Sequence, residues 1–158
     1  DEATGVGGLD GAEGEGAGRV PRTNESYYGE NRGDVYRFAH LAIDEGAALV
    51  FGHGPHVLRG MEVYKERLIA YSLGNFIGHR QFNLMGAFGV SCILDAVLDG
   101  KGRLVRGQIH PFLLSTTGPT LPDPEKRAIT MLRELSAKDF PETAPLFAPD
   151  GSFTPRPK

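Results

Sequence analysis

Residues 46–76 read GAALVFGHGPHVLRGMEVYKERLIAYSLGNF, and this stretch decides the fold class. AALVFG is a short apolar run bounded by glycines. Arriving directly after a helical pattern, it predicts a buried parallel strand in a sheet interior. The run stops at Gly52, and His53 follows at once. In open α/β sheets, ligands collect at the carboxyl ends of strands, so the place of His53 matters as much as its identity. Gly54 allows an unusual backbone, Pro55 fixes the turn, and His56 can face the same cleft. Two neutral imidazoles held this way suit Zn, Mn or Fe, yet a site needs at least one further carboxylate or histidine. On spacing alone, HGPH reads first as a turn with two hydrogen-bonded histidines and only second as a metal site.

Downstream, Met61–Tyr64 and Leu68–Ser72 predict two strands around the polar turn Lys65-Glu66-Arg67. Phe88–Leu98 and Arg103–Leu114 predict a longer hairpin through Asp99-Gly100-Lys101-Gly102, whose composition is strong turn chemistry. Asp123-Pro124-Glu125 opens a last helix to about Lys138, with Pro124 at its first position and Ile129, Leu132 and Leu135 on its apolar face. Upstream, Arg32–Gly46 reads as an amphipathic helix burying Val35, Phe38, Ala39, Ala42 and Ile43, with Asp34 near its start and Gly46 at its end.

The flanks are different in kind. Residues 1–26 are a Gly-rich leading loop, with seven glycines from Gly5 to Gly18. GVGGLDG lacks the spacing and the flanking strand and helix of a phosphate-binding loop. Residues 141–158 form a Pro-rich tail expected to be mobile. Between them, residues 27–140 carry the domain.

Composition narrows function further. With 158 residues and 40% hydrophobic content, the chain can bury one real core. A net charge of -3 and the absence of any Lys/Arg run do not suggest a nucleic-acid footprint. The single cysteine, Cys92, lies in GVSCILDAV and reads as a buried strand thiol. No apolar run reaches the ~20 residues of a membrane span, and no signal peptide is visible. Ser72 is not in a GxSxG elbow. His40 reads as a boundary histidine, His79 as a loop histidine and His110 as structural, while Tyr27 and Tyr28 pack the leading loop.

The stretch from Gly46 to Phe76, together with the preceding GENRGDVYRFAHLAIDEGA, resembles the CapA family of capsule-synthesis proteins, associated with poly-gamma-glutamate. The likeness extends over roughly residues 11–114. It implies an α/β fold: the C-terminal part of a calcineurin-like metallophosphoesterase layered sandwich (αββα). It implies His53 and His56 as metal ligands and catalytic residues, in a centre of two divalent ions (Mn, Fe or Zn) in the complete protein. Such a pair of ions polarises a phosphoryl-type oxygen and generates hydroxide. Asn75 lies in the signature as polar support or a turn cap. Arg59 reads as an anion contact or, preferably, a surface residue. The family's early Gly-Asp and Asn-Asn-His segments have no counterpart here. Aligning GAEG puts Leu9 where a further histidine belongs, keeps Glu13 beside the site, and leaves Asp10 as a substitute ligand.

The resemblance therefore implies a metal-dependent phosphoesterase-type hydrolase in capsule or cell-envelope polymer synthesis, completed by ligands from elsewhere. Its substrate would be an anionic polymer or a phosphoester, its partners capsule-synthesis or export proteins, and its place the cell envelope. The alternatives are a non-catalytic module that binds an anionic polymer or an export partner, or a truncated inactive remnant.

Overall fold

The computed structural model describes residues 18–27, 30–77 and 83–157. In chain order the elements are β1 (Glu25–Tyr27), β2 (Glu30–Gly33), α1 (Val35–Asp44), β3 (Leu49–Phe51), β4 (Met61–Tyr64) and β5 (Arg67–Ala70). They continue with β6 (Val90–Leu98), β7 (Leu104–Leu113), β8 (Leu121–Pro122), α2 (Arg127–Asp139), β9 (Leu146–Phe147) and β10 (Ser152–Thr154). The architecture is mixed α/β, with more sheet than helix.

Strand β5 organises the half of the molecule that carries HGPH. It pairs parallel with β3 and antiparallel with β4, giving the order β3-β5-β4. Period-two alternation sorts its side chains to opposite faces. Leu68 and Ala70 enter one buried cluster, with Met61, Ile109, Leu132 and Phe153. Ile69 and the following Tyr71 enter the other, with Ala39, Ile43 and Phe140. So α1 lies on one face of this sheet, and α2 and the antiparallel sheet β6-β7-β10-β9 lie on the other. The β4–β5 turn is tighter than the sequence suggests. Arg67 already belongs to β5, and Lys65 and Glu66 both take positive φ, the geometry whose twist matches a two-residue hairpin.

The β6–β7 hairpin forms as predicted, with pairing from Val90↔Leu113 to Leu98↔Leu104. Its turn is tied by Asp99, which accepts from the backbone N–H of Lys101 and Arg103, both at 2.9 Å. Those bonds and the Arg103 guanidinium hold the Asp99 carboxyl down at about 2.

Several expectations require correction. Strand β3 is at the edge of its sheet among the described residues, and Phe51 is 62% exposed. Phe38 is also exposed, because at ~100° per residue the buried arc of α1 runs through Val35, Ala39, Ile43, Tyr36 and His40 and passes Phe38 by. Pro124 does not begin α2: Asp123 instead caps a turn, accepting from the N–H of Glu125 and of Arg127, and the helix starts after Lys126, which is left-handed. Part of the tail is strand, packed on the core. Phe153 in β10 pairs with Gly107 and is buried to 1%. The leading segment is also held where it is described: the Val20 N–H donates to Asp139 at 2.9 Å, and Arg19 and Arg22 grip the same residue.

Candidate functional site

The site forms where β3 runs out beside the end of β5. The Gly52 N–H donates to the Ala70 carbonyl at 2.8 Å, and the Leu73 N–H donates back to Gly52 at 3.0 Å, so the parallel ladder continues past both strands. Only glycine fits at position 52, since a Cβ there would stand 2.5 Å from the Tyr71 carbonyl oxygen. That close approach brings His53 against the Gly74-Asn75 loop.

Each histidine is anchored to this loop through the same ring atom. His53 Nδ1 lies 3.1 Å from the Gly74 carbonyl oxygen. A carbonyl only accepts, so this nitrogen carries the proton and the lone pair is on Nε2. His56 Nδ1 lies 2.7 Å from Asn75 Oδ1, which assigns it the same tautomer. His56 occupies the left-handed region, at φ 63°, a conformation that costs a non-glycine residue and is held by its surroundings. Val57 and Leu58, which follow, are buried, and Leu58 bridges to Leu73, pinning the turn to the loop.

The loop itself is well secured. The Ser91 hydroxyl donates to the Asn75 carbonyl, the Gly74 N–H donates to Ser72 Oγ at 3.1 Å, and the Thr120 hydroxyl donates to the Phe76 carbonyl at 2.8 Å. Ser72 is therefore a buried acceptor within the loop. Asn75 Oδ1 faces the His56 ring.

Arg59 is not a surface residue. It is buried to 7%, and its guanidinium pairs with Glu25 in β1, latching that hairpin onto the domain. Glu13, Asp10 and His79 lie outside the described residues, as does Tyr28. His110 is exposed on β7 and pairs with Asp95 at 2.9 Å. A groove of about 500 Å³ runs between the β4–β5 turn and the C-terminal segment, lined by Glu66, Asp99, Arg103, Glu142 and Arg156; neither histidine borders it.

The divalent ions implied by the resemblance fit the donor set in part. Both imidazoles are braced through Nδ1 by a carbonyl oxygen, the arrangement common to metal-ligating histidines. Among the described residues, however, no group of three or more His, Cys, Asp and Glu side chains could hold a metal.

Sequence reading missed a second polar cluster on the α1 side of the sheet. Glu62, 2% exposed, accepts from the Tyr71 hydroxyl at 2.9 Å and the Thr143 hydroxyl at 3.2 Å, and pairs with His40 Nε2. His40 stacks on Tyr64, with ring centroids 3.8 Å apart. Burial first, and then the Glu62 carboxylate, push the Tyr71 phenol well above its usual range. The only hint in sequence is an acidic residue at an inward position of the otherwise apolar Met-Glu-Val-Tyr strand.

Cys92 is buried to 4%, and burial pushes its thiol up to about 12. The thiolate is the reactive form, so Cys92 is expected to resist iodoacetamide in the folded chain and to label fully in denaturant. Mass spectrometry of the alkylated protein checks this; rapid labelling of folded chain would show the thiol to be accessible.

Comparison with known proteins finds relatives for part of the sequence. Residues 25–80 match the family described as Bacterial capsule synthesis protein PGA_cap. The chain is 63% identical over 38 residues to the uncharacterized protein y4sH of Sinorhizobium fredii, covering 24% of this chain and 8% of that one. It is 51% identical over 39 residues to the capsule biosynthesis protein CapA of Bacillus anthracis, covering 25% of this chain and 10% of the relative. It is 49% identical over 41 residues to the PGA biosynthesis protein CapA of Bacillus subtilis, covering 26% and 11%. The matched stretches thus span about a tenth of each relative's length.

Proposed function

We propose, from the match of residues 25–80 to the bacterial capsule synthesis family, that the chain is part of a capsule or cell-envelope polymer synthesis protein and that its histidine pair serves a metal-dependent phosphoesterase-type hydrolysis. The observation that carries this reading is the matched anchoring of the two rings. Nδ1 of His53 and of His56 each faces a carbonyl oxygen of adjacent loop residues, which puts the lone pair of both on Nε2.

His53 and His56 would hold a divalent ion, which supplies Lewis-acid polarisation of a phosphoryl oxygen when bound. The remaining ligands lie outside the described residues, within the metallophosphoesterase-like sandwich we propose for the complete protein. The chain's own part is to orient. Gly52 sets the approach of His53 to the loop, and Asn75 and Gly74 fix the two rings before any ligand arrives, which lowers the ordering cost of binding. The substrate we propose is an anionic polymer or a phosphoester.

Zinc titration of the chain tests this reading, beside the His53→Ala/His56→Ala double variant. The expected result is binding by the parent chain that weakens by at least ~100-fold in the double variant, in line with the loss of both protein ligands. A folded parent chain that takes up no zinc, or equal uptake in both, would sink the metal reading. A second reading is a module that binds an anionic polymer without catalysis, which requires no third ligand. It expects no zinc uptake and retention of poly-gamma-glutamate by the folded chain.

A further inference from the structure

We propose that Arg59 is an oxyanion-binding residue, and that the Glu25 carboxylate fills its site from within as a displaceable plug carried on the β1–β2 hairpin. The inference uses neither histidine and does not rest on the metal reading.

Arg59 belongs to the fixed side of the pair. Its backbone N–H donates to the Ser72 carbonyl at 3.1 Å, and the preceding Leu58 is fully buried. Arg59 itself is 7% exposed. A guanidinium so buried needs a counter-anion, because an unpaired buried charge is strongly destabilising. Glu25 supplies it, accepting from Nη1 at 3.2 Å and from Nη2. One edge of the fork is left unused: Arg59 Nε is buried and has no hydrogen-bond partner among the described residues. Orphaned buried donors are uncommon in folded proteins. No rotation of the group relieves this one, since every guanidinium nitrogen donates. Glu25 therefore answers the charge of Arg59 but not its full set of donors.

Glu25 belongs to the movable side. The β1–β2 hairpin is a two-stranded sheet of its own, paired with neither of the other sheets. Such a hairpin is marginal in water unless something docks it. Its register shifts between Glu25 and Ser26, an irregularity of the kind that re-aims a side chain, and it falls at the residue that meets Arg59. The partners also differ in access, since the Glu25 side chain is 26% exposed and that of Arg59 8%. An incoming anion thus meets the pair from the Glu25 side. It exchanges a carboxylate for another oxyanion, so the guanidinium is never left unpaired, and the hairpin opens locally while the core stays closed. Arginine suits this exchange because its planar fork matches carboxylate and phosphate alike.

The experiment is ¹H–¹⁵N NMR of the chain in EDTA, so that no metal holds the anion. The reporters are the Arg59 Nε–H and the backbone amides of Ser26 and Asn31, register partners in the hairpin. Inorganic phosphate and glutarate are titrated separately into the wild type, Glu25→Gln and Arg59→Gln, beside sodium chloride of equal ionic strength. In the wild type, at least one of the two anions is expected to shift the Arg59 Nε–H and to move the Ser26 and Asn31 resonances toward their unpaired positions, where chloride does neither. Glu25→Gln is expected to bind the same anion roughly 10–100-fold more tightly, the fold-change of a hydrogen bond to a charged group released from its internal competitor. Arg59→Gln is expected to lose the response. A response to phosphate alone supports the proposal with a phosphoryl ligand, to glutarate alone with a carboxylate, and to both with either. Equal affinity in Glu25→Gln and wild type overturns it and leaves the pair a structural salt bridge, as does binding that leaves the Ser26 and Asn31 resonances in place. Should a variant not fold, the wild type decides: movement of both reporters under either anion supports the proposal, and no movement beyond that in chloride overturns it. Zinc uptake by the histidine pair is measured apart from this, so either idea can fail while the other stands.

Discussion

Phe153→Ala is expected to lower stability by about 3–5 kcal/mol, the range for emptying a fully buried aromatic site. For a chain of this size that corresponds to a fall in Tm of about 6–20 °C. The ring is 1% exposed, stands 5.4 Å from Phe147 centroid to centroid, and belongs to the cluster that joins both sheets to α2. Gly107 faces it from β7 and has no side chain to fill the gap left by alanine. Thermal unfolding followed by circular dichroism measures the loss. Phe38→Ala, which removes a ring that is 69% exposed, is the control and should fall within about ±0.5 kcal/mol of the parent. Equal effects from the two substitutions would mean that β10 does not hold the core.

Glu62→Ala is expected to be nearly as costly, at about 2–4 kcal/mol. Its carboxylate is where α1, β4, the end of β5 and the segment after α2 meet, through His40, Tyr71 and Thr143. Truncation leaves the Tyr71 hydroxyl and the His40 ring without their acceptor inside an aromatic cluster, and Tyr71 stacks there on Phe140 at 5.2 Å. Glu62→Gln keeps an acceptor for Tyr71 and should lose less. Urea unfolding of Glu62→Ala, Tyr71→Phe and the double variant gives the coupling directly. Additive losses would show that the two side chains contribute separately and that no network exists.

The legible part of the fold was whatever short-range pattern dictates. The periodicity of residues 32–46 located α1, the glycine-bounded apolar run located β3, and Asp99 to Gly102 located the β6–β7 turn. Asp99 shows why such turns read well: its carboxylate satisfies backbone N–H groups two and four residues on, so the cause is local. The elements that escaped notice have distant causes. β9 and β10 are two and three residues long and carry no periodicity; only the pairing of β10 with β7 and of β9 with β10 makes them strands. The β1–β2 hairpin is similar, being secured by the Arg59–Glu25 pair. At the candidate site, the sequence singled out His53, His56 and Asn75, but not that Arg59 is buried against Glu25. Burial of an arginine against a carboxylate 34 residues earlier leaves no trace in local composition.

The strap at Val20 and Arg22 has a consequence for how the chain is made. Its anchor, Asp139, lies 119 residues further along from Val20. At about 5–20 residues per second, the ribosome delivers that anchor roughly 6–24 seconds after the strap. Throughout that interval β3, β4 and β5 can pair, but the strap has nothing to grip, and the hydrophobic pocket of Tyr36 and Phe140 that Arg22 will cover is still half unwritten. Closure of the molecule is therefore set by the order of translation: the earliest described residues are among the last to find their place.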